Sequence, residues 1–190
     1  MEPLTLIWII AQVFLIWIAS DFLTGLVHWW QDTYGNPTWP IIGKYVVKPN
    51  LKHHHNPRAM ITVSYWNRAG ASIVTAILII VALLFFNADS WQIILLFAFS
   101  SQGNEIHAMA HRTNRENGKV IMFLQKIGII QRRKTHGWHH KAPYDTNFCV
   151  MTEYLNPTLN RLQFFDRLEK LVFMLFRIKP LRGAAIRGGV

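Results

Sequence analysis

The chain has 190 residues, enough for one domain, and 51% of them are hydrophobic while only 16% are charged. A net charge of +10 would suggest nucleic-acid binding in a soluble protein. All 20 Lys and Arg residues, however, fall in 44–68, 112–141 and 161–187, and none falls in 1–43 or 69–111. This distribution argues against a nucleic-acid partner and indicates a membrane protein whose cationic loops face the cytoplasm.

Three apolar blocks predict membrane-spanning helices, because a span needs about 20 mostly apolar residues. The first covers 4–30 and carries a single charged residue, Asp21. It follows Met-Glu-Pro, without a basic n-region or a clean cleavage site, so we expect a retained anchor rather than a signal peptide. The second block covers 65–86, and the third covers 90–111 with polar residues in its last two turns.

The positive-inside rule then predicts the topology of these helices. The N-terminus lies outside, the first helix runs inward, and the second runs outward to a short turn without cations at 87–90. The third helix runs inward again, so residues 33–64 and 112–190 are expected on the cytoplasmic side. In a bacterial cell this membrane would be the inner membrane.

Two later stretches, 119–130 and 160–178, have the pattern of basic amphipathic helices that lie in the membrane interface. The alternative is packing against a soluble core, and the second stretch could instead form a fourth span. Their apolar positions are Val120, Phe123, Leu124 and Ile127 in the first, and Leu162, Phe165, Leu168, Leu171, Val172 and Leu175 in the second. The predicted fold class is an all-α integral membrane protein with three to four transmembrane helices, in a single domain over 1–190.

In this topology every histidine falls at a cytoplasmic helix end or in a cytoplasmic segment. The nine are His28, His53, His54, His55, His107, His111, His136, His139 and His140. Helical spacing places them on shared faces with polar neighbours: Asp21, Gly25, His28 and Asp32; Asn104, His107 and His111; His136, His139 and His140. Ionisable groups at membrane depth are costly and usually functional, so the pattern predicts a histidine-rich metal centre at the cytoplasmic helix ends.

The ligand types narrow the choice of metal. The single cysteine, Cys149, excludes an internal disulfide and cysteine-rich zinc or iron–sulfur sites. Eight or nine imidazoles exceed the four ligands of one zinc ion and suit two ions. A centre at the edge of an apolar bundle is placed to act on a lipid chain, whose inert C–H bonds require metal-activated oxygen. Nitrogen-rich sites with open positions fit iron, although imidazole alone also suits zinc, copper and nickel. The residues therefore predict a di-iron, oxygen-dependent lipid oxidase, either a desaturase or a hydroxylase.

Four stretches carry a resemblance to a known family. They are "DFLTGLVHWWQDTYG" (21–35), "PIIGKYVVKP" with "HHHNP" (40–57), "NEIHAMAH" (104–111) and "RKTHGWHHKAPYDTNFCVMTEYLN" (133–156). The set resembles the lipid desaturase family that includes plasmanylethanolamine desaturase and the plant chloroplast desaturase acting on palmitate. The resemblance covers roughly residues 20–170.

The family has eight motif histidines, and each matches a histidine of this chain. The resemblance implies that these eight are catalytic metal ligands. They fall on His28, His53, His54, His107, His111, His136, His139 and His140, which leaves His55 as a spare. Asp32, Asn104 and Asp145 match polar positions and are expected to be auxiliary ligands. Thr135 and Tyr144 stand where animal relatives carry histidines, so those two positions are not expected to be obligatory ligands.

The resemblance implies removal of two hydrogens from adjacent carbons of a lipid-linked chain, with two iron ions as cofactor and dioxygen as co-substrate. Two electrons would come from a donor such as cytochrome b5 or ferredoxin, and the product could be a plasmalogen vinyl ether. A basic surface could hold the phospholipid headgroup or dock the electron donor, although positive-inside orientation alone explains most of its cations. Its residues include Lys44, Lys48, Lys52, Arg132, Arg133 and Lys134.

Three other functions compete with a desaturase. A hydroxylase on the same scaffold would differ only in its product. A histidine-lined metal transporter needs ligands deep in the span and on both sides, and the sequence places none outside. A structural membrane protein with an unrelated histidine patch would hold no metal. The sequence does not indicate an oligomeric state.

Overall fold

The computed structural model describes residues 2–181, and within this range the chain is helical and contains no strand. The predicted domain's last residues, 182–190, lie outside the described range. The helices are α1 (Pro3–Tyr34), a π-helix (Gly43–Val47), α2 (Lys48–His55), α3 (Ala59–Thr62), α4 (Tyr65–Phe85), α5 (Trp91–Ser101), α6 (Gly103–His111), α7 (Asn114–Lys126), α8 (Arg133–His139), α9 (Leu155–Arg161) and α10 (Phe164–Phe176).

Helices α1, α4 and α5 form the frame of the molecule, and α6 continues α5. The Gln92 side chain donates to Gln12 (3.0 Å) and the Ser20 hydroxyl donates to the Leu96 carbonyl (3.2 Å), so α5 runs parallel to α1. On the other side, Tyr65 at the start of α4 donates to Gln102 (2.8 Å), so α4 runs antiparallel to α5. The order of directions agrees with the in–out–in topology that the sequence predicts.

Helices α1 and α4 are long and apolar enough to cross a membrane. Their outer faces expose large apolar side chains, such as Ile7 and Trp8 on α1 and Leu78 and Phe85 on α4. Apolar surfaces of this extent are typical of contact with lipid or another apolar partner. The two helices therefore indicate membrane association, while the number of crossings stays a prediction.

The predicted third span, 90–111, is divided into α5 and α6 at Gln102, whose backbone has φ −91° and ψ 0°. Just before the break, the hydroxyls of Ser100 and Ser101 donate to the carbonyls of Leu96 and Ala98, a bond that bends helices. The next residue, Gly103, lies so close to α1 that a Cβ there would be 2.8 Å from Thr24. The third element is thus two short helices placed end to end.

The predicted helix 119–130 corresponds to the second part of α7. A capping box between Thr113 and Glu116 starts this helix early, and Gly118 bends it with a φ of 69°. Of the predicted apolar face, Val120 and Phe123 are exposed. They leave α7 with an apolar surface that suits the membrane interface.

The predicted helix 160–178 is divided into α9 and α10, because Gln163 adopts a left-handed backbone (φ 50°). Its predicted apolar face is divided as well. Phe165 is buried against Trp29 of α1, whereas Leu171 and Leu175 are exposed. Helix α10 has 13 residues, fewer than the about 20 that a span needs, and it packs against the C-terminal end of α1.

Candidate metal centre

Five histidines from three helices form the first ligand group: His53 of α2, His107 and His111 of α6, and His136 and the adjoining His140 of α8. Their ligand atoms all lie within 4.8 Å of one another. The Nε2 atom of His136 lies 2.8 Å from that of His107, 3.0 Å from that of His111 and 2.9 Å from that of His140.

These nitrogen separations match those of ligands around one metal ion. Two nitrogens each about 2.1 Å from an ion, at a right angle to each other, are about 3 Å apart. Imidazoles brought together only by apolar packing would turn their nitrogens toward separate hydrogen-bond partners. Here the nitrogens face each other, which is the arrangement that an ion between them requires.

The second ligand group consists of His28 and Asp32 of α1, His54 of α2 and His139 of α8. The Asp32 carboxylate lies between the three rings. Its oxygens are 3.0 Å from His54 Nε2, 3.1 Å from His139 Nε2 and 3.4 Å from His28 Nε2. The sequence predicted Asp32 as an auxiliary ligand, and the structure places it at the middle of this group.

The two groups share their supporting elements and touch each other. Helix α2 gives adjacent histidines to the two groups, and the rings of His53 and His54 are 4.5 Å apart. The ring of His28 in the second group lies 5.2 Å from that of His107 in the first. The arrangement is therefore a candidate two-metal centre rather than two separate sites.

Three of the rings outside the apolar helices, those of His53, His136 and His140, are held neutral, which is the form that binds metal. Burial, reinforced by nearby imidazoles, lowers the pKa of His53 and His136 well below the ordinary value and that of His140 to about 2. Four buried atoms facing the centre make no hydrogen bond: Nε2 of His28, His53 and His139, and Oδ2 of Asp32. Buried polar atoms without partners are costly, so these atoms fit a bound metal ion.

Backbone carbonyls orient three of the histidine rings from behind. The Nδ1–H of His28 donates to Phe148 (3.2 Å), that of His139 to Thr146 (2.8 Å), and that of His53 to Asn50. With Nδ1 engaged in this way, Nε2 is left free to face the centre. Such bonds fix the tautomer and the ring direction of metal-binding histidines.

The carbonyls of Thr146 and Phe148 belong to a non-helical segment, 146–152, which we call the brace. Its middle residue, Cys149, is fixed by polar side chains on both sides. The Cys149 N–H donates to Asn156 (3.1 Å), and the Cys149 carbonyl accepts from Asn156 (2.7 Å) and from Gln131 (2.8 Å). Asn156 and Gln131 were not predicted from the sequence, because neither has a spacing that relates it to the histidines.

The helical face of Asp21 suggested that this residue would lie near the metal ligands, but the structure places it away from them. Its carboxylate instead accepts from the backbone N–H groups of Met151 (2.8 Å) and Thr152 (3.1 Å) and from the Thr152 hydroxyl (2.6 Å). Gly25, one turn later, gives the brace room, because a Cβ there would lie 2.6 Å from the Cys149 sulfur. This face of α1 therefore holds the brace with its first two residues and the metal ligands with its last two.

Other predicted auxiliary residues lie outside both ligand groups. The Asn104 amide donates to the Arg68 carbonyl (3.1 Å) and the Ser72 hydroxyl (3.2 Å) on α4, so it joins helices rather than facing the centre. Asp145 is part of neither group. The spare histidine, His55, is exposed and also belongs to neither.

The two departures from animal relatives have structural roles. Thr135 donates to Glu153 (2.8 Å), which also accepts from Arg132 (3.0 Å), so it helps to fix the start of α8. The ring of Tyr144 lies 5.4 Å from that of His54 and packs against the small core around Leu51. Asn50 was also not predicted from the sequence. Its amide donates to the Asp32 carboxylate (2.6 Å).

Comparison with known proteins gives a consistent result. The lipid desaturase domain matches residues 17–182. The chain is 32% identical to a probable fatty acid desaturase of Acanthamoeba polyphaga mimivirus, over 93% of this chain and 88% of that protein. It is 32% identical to plasmanylethanolamine desaturase 1 of Mus musculus (94% of this chain, 68% of that protein) and 26% identical to plasmanylethanolamine desaturase of Myxococcus xanthus (86% and 60%).

No solved structure matches the chain. The family assignment therefore rests on the domain match, which covers most of the sequence, and on the relatives. The histidines that the structure brings together are those of the motifs that carry the resemblance. The chain belongs to the lipid desaturase family, a family of oxidoreductases.

Proposed function

We propose that this protein is a di-iron, oxygen-dependent desaturase that introduces a double bond into an alkyl or acyl chain of a membrane phospholipid. The observation that carries the proposal is the pair of touching ligand groups, with eight imidazoles and one carboxylate. Five nitrogens in the first group exceed the four ligands of a zinc site. Nitrogen and carboxylate ligands with more than one ion are suited to iron and oxygen chemistry.

Bound iron would supply the activation of dioxygen that an unactivated C–H bond needs. The chain's own residues hold and shield the centre. The Asp32 carboxylate would balance the charge of a cation held among its three neighbouring imidazoles. The brace carbonyls direct His28 and His139. His53 and His139 are almost completely inaccessible to solvent, so water is largely kept from the space between the groups.

The relatives' names support the substrate class. Two of them are plasmanylethanolamine desaturases and one is a probable fatty acid desaturase. We propose a phospholipid-linked chain as substrate, with a plasmalogen vinyl ether as the product if the chain is an alkyl ether. The metal centre lies at the end of α1 next to the apolar bundle, where a lipid chain can approach it from the membrane.

We also propose that the metal centre faces the cytoplasm. The support is the charge distribution, because the segments that carry the ligands outside the long helices are also those that carry Lys and Arg. Both metal-ligand groups found among residues 2–181 lie at this one end of the bundle. A transporter would need ligands along the whole path, so the arrangement favours an enzyme.

Lipid profiling of a desaturase-deficient host tests the proposal. Cells that express the parent chain should form new unsaturated or vinyl-ether lipids, and cells that express His139→Ala should form none. The matched control is His55→Ala. It removes an exposed imidazole that directly follows the proposed ligands His53 and His54, and it should keep the parent lipid profile. Equal profiles for the parent chain and His139→Ala would refute the role of His139, and hydroxylated lipids would identify the hydroxylase instead.

A further inference from the structure

Helix α8 has two faces of opposite character. His136 and His139 point inward and are 1% and 0% exposed, whereas Trp138, between them in sequence, is 55% exposed. Arg133 and Lys134 are exposed as well. One short helix therefore carries metal ligands on its buried side and a cationic, aromatic surface on its outer side.

The outer side of α8 forms an open depression of about 540 Å³. Its lining residues are Arg133, Lys134, Gly137, Trp138 and Lys141. The ammonium group of Lys141 lies 4.8 Å from the centre of the Trp138 ring, a cation–π contact that fixes both side chains. We call this surface the α8 patch.

The cations of the α8 patch have no acidic partner within residues 2–181. Arg58, Arg68, Arg112 and Arg132 each pair with a glutamate, but Arg133, Lys134 and Lys141 form no ion pair in that range. Three unpaired positive charges around an exposed tryptophan produce a local positive potential. Such a surface attracts a molecule of negative charge.

The proposed reaction requires a supply of electrons from outside the chain. Removal of two hydrogens from adjacent carbons releases two electrons and two protons, whereas reduction of one dioxygen to two waters consumes four of each. The other two electrons must come from a reduced carrier and the other two protons from solvent. Because the metal ligands are buried, the carrier must dock where the distance between the protein surface and the ligands is short.

We propose that the α8 patch is the docking site for an acidic one-electron carrier protein, which delivers those two electrons in two successive encounters. This inference rests on the proposed function. A carrier seated against Trp138 would be separated from the His136 and His139 rings by the thickness of one helix, about 10 Å. Complementary charge would raise the rate of encounter, as in other electrostatically steered complexes.

A lipid headgroup fits the α8 patch less well. Its lining contains no aliphatic side chain, and Trp138 is its one apolar group, so nothing there would hold the chains of a phospholipid. The exposed apolar side chains of α1, α4 and α7 offer lipid a better surface. The patch therefore suits a soluble acidic partner better than the substrate.

The test compares two charge-reversal variants of the iron-loaded enzyme in detergent. Lys134→Glu/Lys141→Glu changes the patch, and Lys119→Glu/Lys126→Glu makes the same change in net charge at exposed positions of α7. Turnover is measured with reduced ferredoxin and, separately, with reduced cytochrome b5. A single turnover is also measured after chemical reduction with dithionite and exposure to oxygen, which needs no carrier.

We expect the patch variant to lose about tenfold or more of its carrier-supported rate at low salt, and this loss to shrink as salt is added. Its single-turnover yield should equal that of the parent, and the α7 variant should match the parent in both assays. An equal carrier-supported rate for the patch variant would overturn the docking proposal, as would an equal loss in the dithionite assay. A raised KM for phospholipid with an unchanged rate of carrier oxidation would assign the patch to the headgroup. A parent enzyme inactive in both assays would overturn the proposed function itself.

Discussion

Asp32→Ala should abolish product formation and weaken metal binding in the second ligand group by a factor of about 100 or more. The carboxylate lies within 3.4 Å of three imidazole nitrogens, and it is the one anionic side chain in either ligand group. Its loss leaves His28, His54 and His139 without the charge that offsets a bound cation. Product formation in membranes and metal affinity by competition with a chelator measure the effect.

Asp32→Asn tests whether metal binding depends on the charge of the Asp32 side chain or only on its shape. The amide keeps the size of the side chain and one oxygen that can accept from Asn50, so the fold should be retained. Metal binding should still be lost, because the amide is neutral. Asp145→Asn is the control, since Asp145 matches the family's polar pattern but belongs to neither group, and it should keep most of the activity. Wild-type metal affinity in Asp32→Asn would show that the carboxylate only fills space.

Asp21→Ala should lower the free energy of unfolding by about 3–5 kcal/mol, the second large effect that the structure predicts. The change leaves two backbone N–H groups and one hydroxyl of the brace buried without an acceptor. A loss of this size is a large fraction of the stability of a typical domain. Thermal unfolding in detergent measures it.

The brace links this loss of stability to the metal centre. When residues 151–152 are released, the carbonyls of Phe148 and Thr146 should no longer direct His28 and His139, so metal affinity should fall as well. Asp21→Asn, which keeps one acceptor, should show an intermediate loss of stability. Asp89→Ala, at an exposed acidic position, is the matched control. An unfolding temperature of Asp21→Ala equal to that of the parent would contradict the assigned role of the brace.

Helical periodicity predicts part of the histidine cluster, and the resemblance to the family supplies the rest of the proposed ligands. Residues separated by three or four positions lie on one face, so His107 with His111, and His136 with His139 and His140, had to point together if those segments were helical. This local geometry accounts for His107, His111 and the three histidines of 136–140, but not for His28, His53 and His54, which the fold brings to them. It did not reveal how the eight rings would be divided between two groups, because that division depends on how the helices pack.

Periodicity also misplaced Asp21. The residue shares a face with His28, but seven positions of helix separate them by about 10 Å along the axis. That distance is enough for one carboxylate to hold the brace while the other end of the same face carries metal ligands. The backbone contacts of Phe148 and Thr146 were not predictable either, since any residue type offers a carbonyl.

The breaks at Gln102 and Gln163 have weak sequence signals. Neither is itself a glycine or proline. The apolar pattern continues on both sides of Gln163, whereas Gln102 lies in a polar stretch and is followed by Gly103. Ser100 and Ser101 weaken the first helix end through bonds to their own backbone, and Gln163 adopts a left-handed conformation that its residue type does not favour. The first break therefore combines this local signal with the close approach of Gly103 to α1, and the second lies next to Phe165, which packs against Trp29.

An iron count on the intact chain tests the two-metal centre most directly. The protein is extracted from membranes in mild detergent, freed of loosely bound ions with a weak chelator, and analysed for its metal content per chain. We predict two iron atoms per chain in the parent, and a loss of iron in a variant that lacks both His136 and His139, which serve the two groups. A single tightly held ion, tightly bound zinc in place of iron, or an unchanged iron content in that variant would contradict the account.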